Sequence, residues 1–125
     1  MENKDIKKLV NNYGIFLLVL FGSRGRGDFR LHSDADVAYL SLKPLTLLEE
    51  SAFAVELATK LGATVDLINI RKSSPLLLYK VFKDGKALYE KEKGYFNLSL
   101  ARVYRNYEDT TALYKAKAEL LNLHG

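Results

Sequence analysis

Apolar positions along this chain change rhythm several times, and each change marks an element. Ile6, Leu9 and Val10 recur at helical spacing among charged neighbours, which predicts a short amphipathic helix over residues 3–12. The run "IFLLVLF", Ile15 to Phe21, is continuously apolar and follows Gly14 while preceding Gly22, so it reads as a buried strand. "DADVAYL", Asp34 to Leu40, is the next strand candidate. Lys43-Pro44 interrupts the chain, and Thr46 followed three residues later by Glu49 is a capping box that starts a helix. Leu48, Ala52, Val55 and Ala58 are expected to be that helix's apolar face, with Gly62 just past its end.

"ATVDLINI", Ala63 to Ile70, predicts a third strand, and Ser74-Pro75 opens another helix with proline where no amide bond is lost. Gly85 ends that helix, and "KALYEK" reads as a short edge strand. From Tyr95 to Leu123 the pattern is helical again: Leu100, Tyr104, Tyr107, Thr111, Tyr114, Ala118 and Leu121 step by three and four. The order is αβ(loop)βαβα(β)α, an α/β (α+β) domain with a small mixed sheet flanked by helices and a C-terminal helix. Residues 1–92 are expected to be the core and residues 93–125 a helical extension, packed on the core or on a partner within one domain overall.

Composition narrows the classes. With 125 residues, 48% apolar and 27% charged, the chain fits one soluble domain that can build its own core. The absence of cysteine excludes disulfides, thiolate metal sites and a cysteine nucleophile, and fits a cytoplasmic protein. Seven apolar residues are far short of the ~20 that cross a bilayer, so no membrane role is expected. A net charge of +4 favours a polyanionic ligand without making a strong case for nucleic acid.

The chemistry lies in "GSRGRGDFRLHSDAD", Gly22 to Asp36. On a strand, Asp34 and Asp36 project to the same face, and Asp66 in "TVDLI" joins them if the third strand pairs beside the second. Three carboxylates on neighbouring strands form a hard-oxygen site suited to Mg²⁺, which binds through one or two carboxylates, waters and substrate phosphates. Two such ions can clamp the attacking and leaving oxygens of a phosphoryl displacement. Gly22 lets backbone approach a phosphate, and Ser23 offers hydroxyl and amide donors. Arg24, Arg26 and Arg30 add positive charge, and the sequence leaves open which of them points inward. Together these imply nucleotidyl transfer.

Gly-Ser, ten residues, then Asp-x-Asp resembles the signature of the DNA polymerase β-like nucleotidyltransferase superfamily, and "TVDLI" matches its third carboxylate. By size the chain resembles the minimal nucleotidyltransferases, the MntA-type antitoxins of HEPN/MNT toxin–antitoxin systems. That resemblance, over residues 1–90 or so, implies the polymerase β-like fold. It implies Gly22 and Ser23 on nucleotide phosphates, with Asp34, Asp36 and Asp66 as metal ligands and Asp66 a possible base. It further implies ATP as donor, two Mg²⁺ ions, and AMP transfer to a hydroxyl, a tyrosine, of a HEPN toxin encoded by a neighbouring gene.

Other readings compete. The protein could instead silence its partner by covering it, or act on a small molecule such as an aminoglycoside, or on RNA. A P-loop is excluded by the missing Gly-Lys-Ser/Thr ending. An EF-hand fails because Val37, Ala38 and Tyr39 stand where a calcium loop needs oxygens. "RGD" at Arg26 to Asp28 is a chance triplet, His32 an exposed loop residue, and "KDGKALYEKEK" solvated surface. The tyrosine stripe fits core packing or a docking helix.

Overall fold

Seven consecutive apolar residues can form a strand only if both faces are covered, and the chain arranges its helices accordingly. In the computed structural model, which describes residues 3–22, 34–107 and 118, strand β1 (Ile15–Phe21) lies inside a four-stranded sheet of order β3-β2-β1-β4. β1 pairs antiparallel with β2 (Ala35–Ser41) and with β4 (Lys86–Glu90), while β2 pairs parallel with β3 (Val65–Asn69). A parallel pair needs a crossover, and helix α2 (Leu47–Leu61) supplies it. Helix α1 (Asn3–Asn12) precedes the sheet, α3 (Pro75–Lys83) follows β3 after a 3₁₀ turn at Ile70–Lys72, and α4 spans 95–107.

Alternation sends the strand residues to two cores. Leu18 and Leu20 with Val37 and Tyr39 pack beneath Ile6, Leu9 and Val10 of α1 and Phe53 and Leu57 of α2. Leu17, Val19 and Phe21 with Ala38 pack on the other side against Val81 and Phe82 of α3, joined by Phe96, Leu100 and Val103 of α4. The doubly covered strand therefore reads as an unbroken apolar run, as buried strands do.

Helix α2 differs from the sequence reading. Its ends are as expected: Thr46 Oγ1 accepts from Glu49 N at 3.1 Å, Glu49 Oε1 accepts from Thr46 N at 2.9 Å, and Gly62 closes the helix at φ +69°. The inward face, however, is Phe53 and Leu57, whereas Leu48 (81% exposed), Ala52 and Val55 (67% exposed) look outward. Two apolar stripes run along this helix, and the one with the aromatic ring buries more area and takes the sheet. Tyr39 fixes the docking: its ring is buried against Phe53 at 6.2 Å, and its hydroxyl donates to the Glu50 carboxylate. Burial, then the bond to Glu50, pushes the Tyr39 hydroxyl well above its ordinary range. Thr46→Ala should cost about 1 kcal/mol in urea denaturation, because the Glu49 amide loses the Thr46 hydroxyl that accepts from it.

Strand ends shift slightly. β2 starts at Ala35, so Asp34 stands just before it, and β3 is shorter than expected because Asn69 caps the 3₁₀ turn, its side chain accepting from Arg71 N at 3.0 Å. Helix α4 packs on the sheet rather than standing apart. Glu90 accepts from Gly94 N at 3.1 Å and Phe96 N at 2.9 Å, and those backbone bonds hold its carboxyl below the usual range. Of the expected stripe, Leu100 packs on the second core and Tyr107 stacks on Tyr79 at 3.9 Å, while Tyr104 meets Tyr79 edge-on at 5.6 Å and stays partly exposed. Thr111, Tyr114 and Leu121 lie outside the described residues.

Candidate active site

The carboxylates gather where β1 ends and β2 and β3 begin. Phe21 pairs with Asp36 across the antiparallel ladder, and Asp36 pairs with Asp66 across the parallel one. Ala35 N donates to Thr64 O at 2.8 Å, which ties the two strand starts together. Because Ala35 and Val37 point into the first core, Asp36 shares the opposite face with Ala38, and Asp66 lies beside it with Ile68.

Electrostatics agrees with that placement. Partial burial, then the Asp66 and Asp34 charges, push the Asp36 carboxyl above its ordinary value. Asp34 and Asp66 themselves are exposed. The two neighbouring acids raise the cost of ionising Asp36, and a cation is the group that relieves it. Among the described residues no three acidic or histidine side chains close on a common point. The donors present fit Mg²⁺ nonetheless, since that ion takes only one or two carboxylates and completes its shell with water and substrate phosphate.

Gly22 completes the described part of the site. It adopts φ +69°, and a Cβ there would sit 2.3 Å from Asp36 Oδ2. Only glycine allows this turn to lie against the carboxylate. Ser23, Arg24, Arg26, Arg30 and His32 lie outside the described residues.

A cleft of about 490 Å³ has Gly22 in its wall and none of Asp34, Asp36 and Asp66 among its described lining residues. Phe21 and Gly22 form one end, with Leu76, Tyr79, Lys80 and Lys83 of α3 and Tyr107 of α4 around it. Leu76, Tyr79 and Lys80 escaped the sequence reading, which assigned Lys83 to solvated surface. A detectable signal existed: Leu76, Tyr79, Lys80 and Lys83 recur by three and four along one face of α3. A second groove, between α1 and α2, is on the other side of the sheet and away from the carboxylates.

Comparison with known proteins agrees with this geometry. Residues 4–94 match the model of the family described as polymerase beta, nucleotidyltransferase. The chain is 37% identical over 89 residues to the protein adenylyltransferase MntA of Shewanella oneidensis, which covers 70% of this chain and 64% of that relative's length. It is similar to the crystal structure of a toxin–antitoxin with AMP-PNP, with a TM-score of 0.78 and 27% identity over 97% of this chain and 98% of the other. It is also similar to a structure of the tri-AMPylated Shewanella oneidensis HEPN toxin in complex with MNT antitoxin, with a TM-score of 0.71 and 26% identity over 95% and 94% of the two chains. With the strand order, the paired Asp36 and Asp66 and the family match in agreement, this chain belongs to the polymerase β-like nucleotidyltransferase family.

Proposed function

We propose that this protein transfers AMP from ATP to a hydroxyl, a tyrosine, of a HEPN-domain toxin encoded beside it, and so acts as the antitoxin. The observation that carries the reading is the pairing of Asp36 with Asp66 beside a left-handed Gly22 that leaves room for nothing but hydrogen. The likeness to proteins named as adenylyltransferases and to a tri-AMPylated toxin complex supports the donor, the acceptor and the partner.

In the reaction, the acceptor oxygen attacks the α-phosphorus as the bond to the bridging oxygen of the pyrophosphate breaks. Pyrophosphate leaves with the electron pair, and Asp66, the outermost of the three acids, takes the hydroxyl proton. Asp34, Asp36 and Asp66 would hold Mg²⁺, which when bound supplies positive charge to the attacking and leaving oxygens. Gly22 lets the backbone approach the phosphates, Ser23 is the further phosphate ligand the motif implies, and Arg24 and Arg26 add positive charge for them. Among the described residues no helix is long and apolar enough to cross a membrane, and the reading places the protein in the cytoplasm.

The test uses this protein, Mg²⁺, the neighbouring gene's product and ATP labelled at the α- or the γ-phosphate. Only α-label should become covalently attached to the partner, and Asp34→Ala with Asp36→Ala should abolish it. Attachment of γ-label without α-label would mean phosphoryl transfer instead, and sinks the reading.

A second reading, neutralisation by covering the partner, draws on the outward stripe of α2, where Leu47, Leu48 and Val55 face solvent. In that case the aspartate variants would protect cells as well as wild type does.

A further inference from the structure

The cleft beyond Gly22 has no role in the motif-based account of the site. Its charge is opposite to that of the sheet edge next to it. Asp34, Asp36 and Asp66 cluster at the strand ends beside Gly22, whereas Lys80 and Lys83 line the cleft that Gly22 also walls, with Asp84 its one acid among the described residues. Both halves share the α3 face of the sheet and meet at the end of β1, where Gly22 touches Asp36 and also forms part of the cleft wall.

The strand order gives this arrangement a direction. From Asp66 on β3 to Asp36 on β2 to Gly22 after β1, the groups run toward α3. Phosphoryl displacement proceeds in line, with the attacking and leaving oxygens on opposite sides of phosphorus. If the hydroxyl is deprotonated at the Asp66 end, the leaving pyrophosphate must point past Gly22 and into the cleft. We infer that this cleft holds the β- and γ-phosphates of the donor, and that Lys80 and Lys83 are their ligands.

The lysines are positioned for the task. They lie one helical turn apart on α3, so both ammonium groups can reach one polyphosphate. Lys83 Nζ sits 5.4 Å from the centre of the Tyr79 ring, which is itself stacked on Tyr107 of α4 at 3.9 Å and 13°. A cation held on an aromatic face loses less freedom when it takes up an anion. Helix α4 thereby contributes to nucleotide binding through the two stacked tyrosines.

This inference rests on the transfer reading, and calorimetry with Mg²⁺ and either ATP or AMP separates the two. Wild type should bind ATP much more tightly than AMP. Lys80→Ala/Lys83→Ala should weaken ATP roughly a hundredfold, about tenfold for each charged contact, and leave AMP within about twofold. Lys80→Arg/Lys83→Arg should restore most of the ATP affinity, since charge is kept. Lysines in the last turn of α3 also complement its dipole. If that is their whole role, the alanine variant will melt earlier with ATP affinity unchanged, and the inference is overturned. Equal losses for ATP and AMP overturn it too, because the lysines would then serve the nucleoside end. Wild type that binds no ATP refutes the transfer reading itself, and this inference with it.

Discussion

Asp36→Asn should lower AMP transfer to the partner by ~10³-fold or more, while the metal-free protein becomes no less stable than wild type. Both halves follow from the position of one side chain. Asp36 is the central acid, in register with Phe21 on one side and Asp66 on the other, and Gly22 presses against it. An amide fills the same space but has no charge to offer Mg²⁺, so the loss falls on the reaction rather than on packing. Stability should move the other way. Burial and the neighbouring Asp66 and Asp34 charges hold the Asp36 carboxyl above its unfolded value, so folding favours its protonated form. Wild-type stability is then fully expressed in acid and is lost as pH rises through the folded-state pKa. The asparagine variant carries no such charge, so its advantage should be absent in acid and grow on the way to neutral pH. Urea denaturation of both proteins at several pH values, without Mg²⁺ or nucleotide, measures it. A variant that is less stable at neutral pH than in acid, relative to wild type, would refute the electrostatic account.

Much of this site was legible because strands report their geometry simply. Alternate residues of a strand share a face, which aims Asp36 away from the first core, and Asp66 joins it once two strands pair, with Asp34 one residue ahead of the strand. The same simplicity let the unbroken run of β1 announce a buried strand. Helix α2 was misread because a helix can carry two apolar stripes, and composition alone does not say which meets the sheet. Only the partners decide: Tyr39 and the space above β2 select Phe53 and Leu57 and leave Leu48 and Val55 outside. The cleft was missed for a related reason. Lys80 and Lys83 look like ordinary surface charge until α3 is laid beside the end of β1, and Tyr107 joins them from a distant part of the sequence. The period of α3 places Leu76, Tyr79, Lys80 and Lys83 on one face, but nothing in that element says what the face meets.

Gly22→Ala should lose both stability and activity, and a matched control can separate the causes. Gly22 and Gly62 share φ +69°, so alanine at either site pays the same left-handed penalty, about 1 kcal/mol. Their surroundings differ. A Cβ at Gly62 would meet nothing within 4 Å, whereas one at Gly22 would stand 2.3 Å from Asp36 Oδ2 and 3.2 Å from its Cγ. The Asp36 carboxylate must therefore swing aside, away from its place beside Asp66. Gly62→Ala should lose about 1 kcal/mol in urea and keep its transfer activity. Gly22→Ala should lose roughly 1–3 kcal/mol and about a hundredfold or more in transfer, the usual consequence of an ångström-scale misplacement at a reacting centre. Replacing Asp36 as well tests the route. Against an Asp36→Asn background, Gly22→Ala should cost little further activity, since the group it displaces has already lost its charge. Full activity in the single Gly22→Ala variant would show that the contact between turn and carboxylate does not set the geometry of the reaction.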